Sequence, residues 1–242
     1  MLLLIFIALA IPGALHQSRP QILSHDHAIV TPRRIEKNYG RGEDRYTVVM
    51  IRPIVTGLPE AVLKRIRKEL ELKNVLADHY HFYKHRYMGG FDYRVTYNQN
   101  HILAITFSWN AYFADHERPM IFDLRDGSLI TVQDLFREDK IPELATLVDQ
   151  KLQAELQQMI RDYSASGSGN IEFVWKAENA ALRITPDDLA EIAINDKGIA
   201  FFYKARFHHS RAWAEPPGRY FFTYNELKPF LKPDTVVSQF VK

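Results

Sequence analysis

Two stretches of alternating apolar and polar residues in the middle of the chain predict a β-hairpin. They cover Phe91–Tyr97 and Ile102–Tyr112, and they flank the tripeptide Asn98-Gln99-Asn100. Asn tolerates the positive φ angles that tight hairpin turns require. A third apolar run, Met120–Leu124, leads into the turn-forming pair Asp126-Gly127. The pattern therefore predicts an antiparallel meander.

Helical periodicity appears on both sides of this meander. Before it, Gly57-Leu58-Pro59-Glu60 is a typical helix start, and apolar residues recur at helical spacing from Val62 to about Leu72. After it, Thr131 and Asp134 have the spacing of a capping box. The strongest periodicity runs from Ile141 to about Tyr163. We expect two main amphipathic helices, with a short helical turn before the second.

The last third of the chain predicts short strands that end in a small helix. The predicted strands are Ile171–Trp175, Leu182–Ile184, Glu191–Asn195, Ile199–Phe207 and Arg219–Thr223, and the helix is Tyr224–Leu231. Strands and helices do not alternate strictly. The predicted class is therefore α+β, with a largely antiparallel sheet and the two main amphipathic helices packed on it.

The N-terminal part of the chain divides into two segments. Residues 1–16 contain the apolar run Leu2–Leu15, which is shorter than the ~20 residues of a membrane-spanning helix and is followed by small residues. This predicts a signal peptide and an exported, periplasmic or extracellular protein without a stable membrane span after processing. No basic residue precedes the run, so an uncleaved anchor is the alternative. Residues 17–45 are predicted to be a polar linker or arm, and residues 46–242 the folded domain.

Composition and charge narrow the function classes. The 242 residues carry 31 basic and 29 acidic side chains, a formal net charge of +2, which gives no indication of nucleic-acid binding. The chain has no cysteine, which excludes disulfides, thiol catalysis and cysteine-based zinc clusters. It also has no Gly-x-Ser-x-Gly motif and no glycine-rich phosphate loop. We expect no cofactor, and we favour a non-enzymatic domain.

The order of these parts resembles a known family. Ile54–Leu58 before an amphipathic helix, Tyr93–Asn100 in the hairpin, and Phe122–Gly127 before Asp134-Leu135-Phe136 are similar to the RsiV-like extracytoplasmic domain of unknown function. That domain belongs to lysozyme-sensing anti-sigma factors and is an accessory domain of some peptidoglycan deacetylases. The resemblance covers roughly residues 46–231. It implies an α+β domain whose partner is a lysozyme-like protein or a peptidoglycan fragment.

Two segments depart from the family pattern, and both are predicted to be loops. Residues 112–119 keep a histidine but lack the family's glycines, and residues 208–218 replace a Pro-Tyr-containing loop. Aromatic and arginine side chains in loops suit protein or glycan recognition. The predicted binding residues are Tyr112, His116, Arg118, His208, His209, Arg211 and Trp213. If the hairpin and the last strands share one sheet, both loops can form one surface.

Histidines provide an alternative chemistry. His79, His81 and His85 could bind zinc or copper, which would make the protein a metal-dependent hydrolase of envelope glycans. A strand brings His79 and His81 to one face, whereas a helix brings His81 and His85 to one face. No single element serves all three, so we predict no metal site. Trp109 and Trp175 lie in predicted strands and are expected in the core.

Overall fold

A mixed five-stranded sheet forms the first half of the protein. The computed structural model describes residues 26–40, 45–85, 88–111, 114–167, 170–178 and 182–241. The strands are β1 (Ile29–Tyr39), β2 (Tyr46–Thr56), β3 (Met88–Gln99), β4 (Ile102–Ala111) and β5 (Ala114–Asp123), and they lie in this order across the sheet. All neighbours are antiparallel except β2 and β3, which pair in parallel at Val49–Gly90 and Met50–Phe91. Parallel neighbours need a crossover, which three helices provide.

The crossover helices are α1 (Glu60–Glu69), α2 (Leu72–Leu76) and α3 (Tyr80–His85). The first of them follows the predicted periodicity, since it buries Val62, Leu63 and Ile66. These side chains join one hydrophobic core with the β4 residues Leu103, Ile105, Phe107 and Trp109. The helices thus cover one face of the five-stranded sheet.

The other face of this sheet supports the C-terminal half. Short α4 (Val132–Leu135) leads to the long α5 (Ile141–Ser166) and to α6 (Ile171–Ala177). Strands β6 (Ile192–Ile194), β7 (Gly198–Phe202) and β8 (Arg219–Thr223) form an antiparallel three-stranded sheet, followed by α7 (Tyr224–Leu227). The second core joins α5 and these strands to Ile102 and Ala104 of β4. Strand β4 is therefore buried on both faces from Ile102 to Phe107.

The predicted class and the central elements are confirmed. The fold is α+β with largely antiparallel sheets, and α1 and α5 are the two amphipathic helices. The central hairpin is confirmed, but its turn lies at Asn100 and His101, whose φ angles are +52° and +61°, while Asn98 and Gln99, which were expected in the turn, pair as part of β3. The capping box is present, because the backbone N–H of Thr131 donates to the Asp134 carboxylate at 2.8 Å. Within the described ranges, no helix is long and apolar enough to cross a bilayer.

The prediction of a polar linker or arm over residues 17–45 was wrong for residues 29–39. This segment is β1, which pairs with β2 over eleven residues. Most of its side chains are exposed, as an edge strand with little core contact allows, so hydrophobic alternation gave no signal. The sheet therefore begins upstream of Tyr46. The predicted signal peptide lies outside the described residues.

Three further predictions of secondary structure were wrong. The expected strand Ile171–Trp175 is helix α6, because Asn170 caps its start and accepts from the Glu172 N–H at 2.9 Å. Ile171 and Trp175, four residues apart, are its buried pair. Residues 182–184 carry no regular structure, and the strand expected to reach Phe207 ends at Phe202. The segment 73–90 is mainly helical, with β3 beginning at Met88.

Candidate binding surface

The first predicted loop is part of strand β5. Residues 115–119 pair with β4, and His116 lies directly opposite Trp109. The predicted binding residue Tyr112 lies outside the described residues. The prediction of a loop was wrong because a run of charged residues on the exposed part of the strand hid the alternation. His116 and Arg118 are consequently held by a sheet.

His116 lies in a compact group of rings. Its ring centroid is 4.1 Å from that of His79, in the 3₁₀ helix Ala77–His79, and 5.7 Å from that of Trp109. His79 also meets Trp109 edge-on at 5.5 Å. Burial and the neighbouring His116 lower the pKa of His79 to about 4, and burial lowers the pKa of His116. Both imidazoles are therefore neutral at pH 7 and act as packing groups.

Arg118 and His81 have backbone partners. Arg118 donates through Nη1 to the carbonyl oxygen of Val75 at 3.3 Å, which ties β5 to α2. His81 Nδ1 lies 2.6 Å from the carbonyl oxygen of Asp78, so His79 and His81 have different surroundings. The side chain of His85 lies outside the described part. Among the described residues, no group of three or more His, Asp or Glu side chains could hold a metal ion.

The second predicted loop contains a 3₁₀ helix, His209–Ala214, that is fixed to α6. Arg211 Nη1 lies 2.7 Å from Oε1 of Glu178, and the backbone N–H of His208 donates to Oε2 of the same carboxylate at 2.9 Å. These two donors hold the pKa of Glu178 below its usual value. Trp175 Nε1 donates to the Ala214 carbonyl oxygen at 2.9 Å in a buried contact. Both ends of the segment are therefore anchored.

Trp213 projects from this anchored segment into solvent. The residue is 54% exposed, and its ring lies 5.5 Å from that of Tyr163 near the end of α5. His208 and Arg211 are neighbours in the same segment, and the His208 ring accepts from or donates to Ser210 Oγ at 2.8 Å. We refer to Tyr163, His208, Arg211 and Trp213 as the aromatic–basic surface. His209 begins the 3₁₀ helix, but its side chain lies outside the described part.

The structure places the two predicted sets on different supports. His116 and Arg118 contact Trp109, His79 and Val75, whereas Arg211 and Trp213 contact Glu178 and Tyr163. The hairpin and the last strands belong to separate sheets, so the condition for one shared surface is not met. Sequence analysis missed the roles of Tyr163 and Glu178. Both lie at least 30 residues from their partners, and no local pattern marks such contacts.

The fold is similar to two solved structures of DUF3298 family proteins. One, from Pseudomonas aeruginosa PAO1, has a TM-score of 0.55 at 13% identity and covers 85% of this chain and 95% of its own. The other, from Bacteroides fragilis NCTC 9343, has a TM-score of 0.52 at 11% identity and covers 89% and 98%. No protein-family model and no curated protein matches the sequence. At these identities the similarity shows the fold alone.

Proposed function

We propose that this protein is an exported, non-enzymatic binding domain whose partner, a lysozyme-like protein or a glycan of the cell envelope, docks on the aromatic–basic surface. The observation that carries the proposal is the exposure of Trp213 on a segment fixed from both ends. A largely exposed tryptophan offers a large, rigid apolar surface to a partner, and an anchored one loses little conformational entropy on binding. Arg211 and His208 supply polar contacts beside it.

The fold adds indirect support for the class of function. The structures with a similar fold belong to DUF3298, the domain type to which the RsiV-like domain belongs, so the fold fits the resemblance in the sequence. The sequence resemblance implies an envelope partner, and the apolar run Leu2–Leu15 fits export. Fractionation with and without a signal-peptidase inhibitor tests export. Full-length protein retained in the cytoplasm would contradict that part of the proposal.

The binding surface is tested with the full chain as bait in envelope extract. Trp213→Ala should lose a partner that wild type captures, and titration with the purified partner should give a loss of about 2 kcal/mol or more, roughly thirtyfold. Phe221→Ala is a matched control, because Phe221 is a partly exposed aromatic residue on β8. Circular dichroism checks that both variants fold. A folded Trp213→Ala protein that keeps every partner would place the site elsewhere.

Purified probes separate the two partner classes. A lysozyme and soluble peptidoglycan fragments are titrated separately against wild type, Trp213→Ala and Arg211→Ala. Saturable binding of lysozyme that depends on both Trp213 and Arg211 supports a protein partner. Binding of the fragments alone, with the same dependence, supports a glycan stacked on Trp213 and Tyr163.

A further inference from the structure

A second concave site lies between the N-terminal edge of the five-stranded sheet and α1. It is a cavity of about 180 Å³ between β1, β2 and the end of the helix, and Arg33, Arg52 and Arg67 line it together with apolar side chains such as Ile35 and Leu70. We call it the arginine cavity. It is smaller than pockets that enclose drug-sized ligands, which begin at about 300 Å³. The volume of the cavity therefore suits a small chemical group rather than a drug-sized ligand.

The register of the sheet forces two of these arginines together. Arg33 in β1 is the direct antiparallel partner of Arg52 in β2, so both side chains project from the same face. Like charges directly opposite each other destabilise a sheet. Arg67 comes from the last turn of α1 and faces the same cavity. Strands β1 and β2 and helix α1 thus each contribute one arginine to the lining of the cavity, which gives it a positive potential.

The positive charge is only partly neutralised by the protein. Arg67 pairs with Glu60 at 2.8 Å, and both side chains of that pair are at least half exposed. Arg52 donates through Nη2 to the carbonyl oxygen of Leu70 at 2.8 Å, which engages one of its five N–H donors and offsets the negative end of α1. Glu71, the other carboxylate near Arg52, is held by Lys73 at 2.8 Å. Within the described residues, Arg33 has no ion-pair partner.

We infer that the arginine cavity is a binding site for a phosphoryl group. With Glu60 opposing three guanidinium groups, two positive charges remain, which match a phosphate monoester dianion. Guanidinium groups donate paired hydrogen bonds to such oxygens, and Arg52 is already oriented by its bond to Leu70. The apolar part of the lining can contact a carbon chain next to the phosphate. The group can belong to a free phosphate compound or to the headgroup of an anionic lipid.

This site is independent of the aromatic–basic surface. It belongs to the core of α1 and the five-stranded sheet, whereas Trp213 and Tyr163 belong to α5 and the segment after β7. Trp213→Ala should therefore leave phosphate binding unchanged. Loss of phosphate binding in Trp213→Ala would overturn the assignment of the ligand to this cavity.

The test is calorimetric titration of the full chain with inorganic phosphate at low ionic strength, and in parallel with vesicles of phosphatidic acid in phosphatidylcholine. Arg33→Ala should weaken binding at least tenfold. Arg34→Ala is the matched control, because Arg34 is the next residue of the same strand, removes the same charge and projects from the opposite face, where it pairs with Glu36. It should change the affinity less than twofold. All variants keep the apolar run Leu2–Leu15. Any binding of this run to vesicles is therefore the same in every protein and does not affect the comparison between variants.

Glu60→Gln supplies a change in the opposite direction. Removing the carboxylate that pairs with Arg67 should tighten phosphate binding severalfold without altering the fold. Arg33-dependent binding of inorganic phosphate alone supports free phosphate compounds, and Arg33-dependent binding of the vesicles, with or without binding of inorganic phosphate, supports a lipid headgroup. An equal loss in Arg33→Ala and Arg34→Ala, or no saturable binding of either probe, would overturn the inference.

Discussion

Two groups of histidine, arginine and tryptophan side chains lie in different parts of this protein. The tryptophan of one group is buried, whereas that of the other is exposed to solvent. In the group on β5, His116 and Arg118 contact Trp109 and Val75, and Trp109 is only 5% exposed. In the group after β7, Arg211 is tied to Glu178 while Trp213 is 54% exposed. Residue type does not distinguish them. The element that carries each group decides whether its aromatic ring stabilises the fold or is available to a partner.

The reason lies in what each element packs against. Strand β4 is covered on the Trp109 face by the crossover helices, so rings opposite it in β5 are enclosed between sheet and helix. The 3₁₀ helix His209–Ala214 is anchored through Arg211 and Ala214, and these anchors turn the intervening Trp213 away from the core. A short helix that is anchored at two residues can expose one large side chain to solvent while its backbone stays fixed.

The largest expected effect compares the two tryptophans. Trp109→Ala should lower the free energy of unfolding by about 3–5 kcal/mol, since it empties a space between β4, His79 and His116. Trp213→Ala should change it by less than about 1 kcal/mol, because a mostly exposed ring contributes little to the core. Urea unfolding followed by circular dichroism measures both. Similar losses in the two variants would remove the distinction between the groups.

A smaller effect compares the arginines. Arg118→Ala should destabilise the protein by about 1–2 kcal/mol, because the Val75 carbonyl oxygen loses its hydrogen bond from a charged donor. It should leave partner binding unchanged, whereas Arg211→Ala should weaken that binding. Urea unfolding and titration with the captured partner are run on both variants. Loss of binding in Arg118→Ala without loss of stability would bring β5 back into the binding surface.

The smallest expected effect is a pH dependence from the β5 group. The pKa of His79 falls from 6.5 to about 4 on folding, and that of His116 is also lowered, so the unfolded chain binds more protons than the folded one between these values. Their contribution to stability is complete above pH 6.5 and is lost as the pH falls towards 4. Asp78 and Lys204 near His79 act in opposite directions on its pKa.

His79→Gln isolates this contribution from that of the carboxylates. The urea midpoint of wild type should drop more between pH 7.5 and pH 5 than that of the variant, because glutamine does not titrate. Parallel curves for the two proteins would mean that His79 is not kept neutral by its surroundings.

The sequence by itself determined the elements whose signals are local. These are the asparagine-containing hairpin turn, the capping box of Thr131 and Asp134, and the apolar stripes of α1 and α5, each of which depends on residues within a few positions of each other. The two strands of the central hairpin, β3 and β4, could be predicted for the same reason, since alternation over a strand is a local pattern. These features were sufficient for the α+β class.

Only the tertiary structure decided which side chains are available for binding. Whether His116 meets His79, or Trp213 meets Tyr163, depends on contacts between residues 37 and 50 positions apart, which no periodicity encodes. Strand β1 was hidden for a related reason. An edge strand is stabilised by the backbone of β2 along eleven residue pairs and needs few apolar side chains of its own. The pairing of Arg33 with Arg52 follows from that register, so the arginine cavity also exists only in the folded chain.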